Sequence, residues 1–155
     1  MAKYRKLTLE ELESLEPEFI EFLVVNGIPA DDWEQLKKDE SKADQLIHSF
    51  SDVVFEKILR QIEYLTHYSK SSIKTFKCDE NQIFLVGVDT DDPSIDLTND
   101  ADIKRFRQSP PGELKIYKSS KSYHPDRQSE LFKMLEQGCL KTDNTLYDLF
   151  TNATD

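Results

Sequence analysis

Six aspartates fall within fourteen residues: Asp89, Asp91, Asp92, Asp96, Asp100 and Asp102. Clustered carboxylate oxygens are what Ca2+ or Mg2+ takes as ligands. The spacing is not that of an EF-hand. Counted from Asp89, the sixth position is Ser94 instead of glycine and the twelfth is Asp100 instead of glutamate; counted from Asp92, the same positions are Leu97 and Ile103. The plainer reading is a solvated acidic loop whose Asp and Asn side chains cap turns and the next helix. A metal-dependent enzyme using Asp89–Asp102 is the alternative it leaves.

The other reactive residue types are more scattered. His67, Cys78, His124 and Cys139 are the soft ligands zinc prefers, but their nearest gap is eleven residues, whereas structural zinc sites show close pairs. His48 falls inside a helical pattern and reads as a surface or interface residue. No serine sits in a G-x-S-x-G turn. Cys78 ends a strand pattern and Cys139 follows a helix pattern. A reactive thiol needs a cationic neighbour or a helix N-terminus; Lys141 near Cys139 is a hint of one, and buried, unreactive thiols are expected. Gly27, Gly87, Gly112 and Gly138 lie too far apart to build a phosphate-cradling loop. No catalytic residue, metal ligand or cofactor is assigned.

Charge distribution carries more information. The chain bears 30 acids against 20 bases, a formal −10 with a pI near 4.8. Yet Ile103–Lys133 holds eight bases (Lys104, Arg105, Arg107, Lys115, Lys118, Lys121, Arg127, Lys133) against three acids, a net of +5. In an extended stretch Lys115, Tyr117, Ser119, Lys121 and Tyr123 share one face. Lys115, Tyr117, Lys121 and Tyr123 are therefore the candidate binding residues. Cations interleaved with aromatics can hold a phosphate backbone and stack a base, which makes single-stranded nucleic acid one alternative. The acidic field of the whole chain opposes it by repelling polyanions. A sheet surface paired with the chain's own acids is the plain reading, and an acidic protein partner suits the patch as well as a nucleic acid does.

These residues must be positioned by a folded core. Leu, Ile, Val and Phe make up 27% of the chain, above the roughly 20% below which highly charged chains stay disordered. Thr8-Leu9-Glu10-Glu11 reads as a capping box with Leu7 and Leu12 as its hydrophobic staple, so a helix starts near Leu9. Pro17 interrupts it or opens a second helix, which Asn26-Gly27 ends as a left-handed cap before Pro29. Asp31-Asp32-Trp33-Glu34 starts a third. The clearest signal is apolar: Ala43, Leu46, Ile47, Phe50, Val53, Val54, Ile58, Ile62 and Leu65 recur at helical spacing, predicting one long helix over about Ser41–Thr66 with Ser41 as N-cap.

Ile73–Cys78 and Ile83–Val88 flank Asp79-Glu80-Asn81-Gln82, a four-residue loop between two strands. A third strand is expected at Glu113–Lys118, after the turn signal Ser109-Pro110-Pro111-Gly112. Asp100–Gln108 reads as a short helix, Asp126–Gln137 as an amphipathic one ended by Gly138, and Asn144–Phe150 as the last, with Thr151–Asp155 fraying. The architecture is α+β: a helical N-terminal half with one long central helix, a small mostly antiparallel sheet of about three strands, and C-terminal helices. With no repeat or linker, 1–155 reads as a single domain.

The opening residues carry no secretory apolar stretch, and no apolar run approaches a bilayer's thickness. Two cysteines make no disulfide scaffold. A cytoplasmic, reducing location with no membrane is expected. Leu15, Phe19, Phe22, Leu23, Val24, Val25, Ile28 and Trp33 are dense for so short a stretch. Any left outside the core would mark a partner or homodimer contact.

At Lys3-Tyr4-Arg5-Lys6-Leu7-Thr8, Asp31-Asp32-Trp33-Glu34 and Met134-Leu135-Glu136-Gln137-Gly138-Cys139 the chain resembles an uncharacterised family of small bacterial cytosolic proteins, classed as a domain of unknown function. The resemblance covers nearly the full length. It implies a bacterial origin and one intact domain, and it brings no activity, ligand or catalytic residue. The function expected from the residues is a non-enzymatic interaction domain whose partner is either another protein or a second copy of itself.

Overall fold

The computed structural model describes residues 3–101, 103 and 114–153. Its contacts cluster into two compact units, Met1–Arg60 and Gln61–Asp155, and each has its own logic.

The first unit is helical: α1 Leu9–Ser14, α2 Glu16–Val25, α3 Ala30–Leu36 and α4 Glu40–Gln61, whose last turn crosses the boundary. The capping box forms as the sequence predicts, with Thr8 Oγ1 accepting from the Glu11 N–H at 3.2 Å and Glu11 Oε1 accepting from the Thr8 N–H at 2.9 Å. Pro17 lies in the first turn of α2, where a missing N–H costs nothing. Gly27, at φ +79°, ends that helix. Phe19 and Leu23 are buried, and the Phe19 ring stands edge-on to Phe50 and Trp33, each at 5.0 Å. Ile20, Val24 and Val25 of α2 stay exposed.

An extended segment, Lys3–Leu7, is tied to α4 by side chains. Asp52 accepts from the N–H groups of Lys3 and Tyr4 at 2.8 and 3.1 Å, and buried Ser51 accepts from the Leu7 N–H at 2.9 Å. Glu56 takes the Tyr4 hydroxyl at 2.6 Å and the Lys3 ammonium at 2.9 Å. Burial and that neighbouring carboxylate push the Tyr4 phenol up to about 12.

The α4 helix is shorter than predicted at its C-terminal end. Its cap is Asp39, whose carboxylate accepts from the Lys42 N–H, rather than Ser41. Its backbone leaves the helix after Gln61, although Ile62 and Leu65 continue the apolar spacing and are buried. The reason is that Tyr64–Tyr68, rich in aromatic and β-branched residues, finds strand partners on both sides.

That strand, β1 Tyr64–Tyr68, belongs to the second unit, with β2 Ser72–Cys78, β3 Gln82–Thr90, β4 Leu114–Ser122, α5 Arg127–Glu136, β5 Leu140–Thr142 and α6 Thr145–Ala153. The five strands lie in the order β4-β3-β2-β1-β5, every neighbouring pair antiparallel. The predicted α+β class stands, with five strands instead of about three. The helical spacing expected as far as Thr66 overlaps the first three residues of β1, and three-residue β5 is too short to show a period. The β2–β3 hairpin forms as predicted, closed by the Asp79 N–H on the Gln82 carbonyl at 3.0 Å. The third strand is described from Leu114 and continues to Ser122; Glu113 lies outside the described residues.

One face of the sheet carries Ile73, Val86 and Val88, which cluster with Ile95, Leu97, Leu146 and Phe150. Asp126 caps α5 by accepting from the Ser129 N–H at 2.8 Å, and Gly138 at φ +105° lets the chain turn into β5. Of the helix predicted over Asp100–Gln108, the described residues show its start, with Asn99 Oδ1 accepting from the Ala101 N–H. Residues 104–108 and the turn signal at 109–112 lie outside the described residues, as do Asp102, Lys104, Arg105 and Arg107.

Candidate functional site

Three of the four candidate binding residues, Lys115, Tyr117 and Lys121, lie on β4, the terminal strand of the sheet among the described residues. All nine of its residues pair with β3, from Thr90↔Leu114 to Gln82↔Ser122. Strand alternation therefore puts Lys115, Tyr117, Ser119 and Lys121 on one face over a run of about 20 Å. Lys118, not among the residues singled out, sits on the same strand with its side turned the other way, opposite Val86. Positions 118–122 are all exposed.

Each candidate residue is set in place by a neighbour. The Lys115 ammonium lies 3.5 Å from the Asp91 carboxylate, both largely in solvent. Tyr117 pairs with Gly87, and its ring occupies the space a side chain there would need: a Cβ on Gly87 would sit 2.2 Å from Tyr117 Cζ. The Tyr117 hydroxyl donates to Asp89 Oδ1 at 3.4 Å, and burial with that carboxylate nearby raises its pKa.

Lys121 is held more firmly. Its ammonium pairs with Glu130 Oε2 of α5, a carboxylate only 7% exposed that also accepts from the His124 N–H at 2.8 Å. Burial alone would raise the Glu130 carboxyl, but the Lys121 ammonium and the His124 N–H outweigh it and hold it below its ordinary range. Tyr123 lies past the end of β4. Its hydroxyl donates to the Asp79 carbonyl at 2.7 Å, and burial pushes it up to about 12. So Lys115, Tyr117 and Lys121 form a line, and Tyr123 fastens the far end to the β2–β3 turn. Arg127 reinforces that corner by donating to the carbonyls of Ile62 at 2.6 Å and Cys78 at 3.3 Å.

The acidic loop is knitted to itself. Asp92 accepts from the N–H and hydroxyl of Ser94, and Asp96 from the N–H and hydroxyl of Thr98. Among the described residues, no three His, Cys, Asp or Glu side chains are grouped to hold a metal ion. His48 lies on α4 beside Asp44, 3.4 Å away. Cys78 and Cys139 are buried and unbridged; burial pushes the Cys78 thiol up to about 12 and raises Cys139 too.

Two open clefts flank the opposite sheet edge. One, of about 640 Å3, is lined by Gln61, Tyr64, Lys141 and Asn144 among others; the second, of about 460 Å3, by Tyr68, Asp100, Ile103 and Leu146. Two polar groups near them serve the start of α6: Asp143 accepts from the Thr145 N–H and Asn144 donates to Asp148. Among the described residues, no helix is long and apolar enough to cross a membrane.

Sequence reasoning counted Lys118 and Arg127 in the basic segment without giving either a role at the site, and gave Glu130 none. Lys118 carried a readable signal, since lysines at every third position across a serine-rich strand mark a protected sheet edge. The roles of Glu130 and Arg127 depend on where α5 docks.

No curated protein and no solved structure matches the chain. The family described as "Family of unknown function (DUF6495)" matches residues 1–155, the whole length, and the chain belongs to that family.

Proposed function

We propose that this protein is a non-enzymatic, cytoplasmic interaction domain that binds an acidic protein surface through β4. The observation that carries the reading is the line of Lys115, Tyr117 and Lys121 on a full-length terminal strand, in a chain of net charge −10. Cations and a half-buried aromatic on a rigid strand give an acidic partner both charge attraction and a stacking surface. The cytoplasmic assignment is supported by two thiols buried without a disulfide, as a reducing compartment keeps them.

Affinity capture from an extract of the source cell tests the reading. The comparison is wild type against Lys115→Glu/Lys118→Glu; Lys121 is left alone because reversing it would strand the buried Glu130. A partner retained by wild type, released as salt rises and absent from the variant is expected. A partner retained equally by both proteins contradicts the proposal.

A further inference from the structure

We infer that the outer edge of β4 accepts an extended acidic peptide segment as a sixth strand, a mode of binding that rests on the function proposed above. The β4 strand lies at the end of the sheet, and among the described residues no strand pairs with it on the side away from β3. An edge strand leaves alternate N–H and C=O groups pointing outward, and an added strand satisfies them. This edge is long and regular: nine residues in continuous register, without bulge or proline.

Charge selects the occupant. Residues 114–122 contain Lys115, Lys118 and Lys121 and no acid. A second copy fits poorly. Pairing two β4 strands antiparallel over their full length sets Lys115 against Lys121 and Lys118 against itself, and like charges directly opposite destabilise a sheet. A segment with acids at every third position meets all three lysines, on alternating faces. It takes Lys115 from Asp91 at little cost, since that pair is exposed and 3.5 Å apart. Lys121 keeps its Glu130 partner, a pair that pins this end of the strand while Lys115 supplies the charge that is given up to the segment.

Calorimetric titration of the full chain at low ionic strength tests this. The probe is a peptide of β4's length, with glutamate at every third position and valine and threonine between. Two further peptides carry N-methyl groups on every second amide, in opposite phases, so that each blocks one edge. The expected result is binding of the unmodified peptide, with one methylated phase matching it and the other at least about tenfold weaker, the equivalent of one or two lost hydrogen bonds. Lys115→Glu/Lys118→Glu should lose binding of all three. Equal binding of both methylated phases overturns strand addition while leaving the charged-face reading intact. That reading fails separately, if the charge reversal leaves binding unchanged. No binding of the unmodified peptide, or binding of a single-stranded oligonucleotide in its place, also overturns the inference.

Discussion

The two edges of the sheet are finished in opposite ways. The β5 edge is three residues long and runs straight into the turn that starts α6; its Thr142 hydroxyl shares a 2.8 Å hydrogen bond with the buried Thr66 hydroxyl. An edge that short offers an incoming strand little to pair with. The β4 edge is nine residues long, fully in register, and the charged residues of the strand itself are all lysines. Lysines deter a second copy and attract an acid. The difference shows how one side-chain type can both protect an edge and choose what may reach it.

The largest effect should come from disturbing the contact between β3 and β4. Gly87→Val puts a branched side chain where the Tyr117 ring lies, and should cost about 1–3 kcal/mol by overpacking. Chemical denaturation reads the loss, and Gly87→Val combined with Tyr117→Ala should recover much of it if the clash is the cause.

Next comes the anchor beyond the end of β4. Glu130→Ala leaves the His124 N–H without its acceptor and Lys121 without its carboxylate, for about 1–2 kcal/mol. The Glu130 carboxyl is held below its ordinary pKa in the folded chain, so its contribution is full above the unfolded value of about 4.5 and fades as pH falls through the folded one. The gap in urea midpoint between wild type and Glu130→Gln should therefore narrow steadily as pH is lowered below that value.

On the opposite edge, Thr142→Val removes the partner of the Thr66 hydroxyl at a cost of about 1 kcal/mol. Its thermal unfolding should shift while the affinity of an acidic peptide stays unchanged. The smallest stability effect belongs to Lys115→Ala, under about 0.5 kcal/mol, because its ion pair is exposed. Here the ranking inverts: this variant should weaken peptide binding measurably, whereas Thr142→Val should not.

Local signals made some of this legible and distance hid the rest. The Thr8–Glu11 box, the α2 stop at Gly27 and the α5 stop at Gly138 were readable because each lies within a few residues of what it satisfies. The face shared by Lys115, Tyr117 and Lys121 was readable because strand alternation has a period of two. Leu65 misled: it continues the helical spacing of α4, yet it pairs with Phe76 and Lys141, residues that no local pattern brings to it. The same blindness hid β5, which exists only because β1 is there to pair with. It also hid Glu130, nine positions from Lys121 and beyond a turn.

Backbone amide hydrogen exchange, with and without the acidic peptide, tests the central claim most directly. Slowed exchange at alternate amides of 115–121, with Leu140–Thr142 and the exposed Ile20, Val24 and Val25 surface unchanged, is the predicted result. Protection that appears on β5 or α2 and leaves β4 untouched would contradict it.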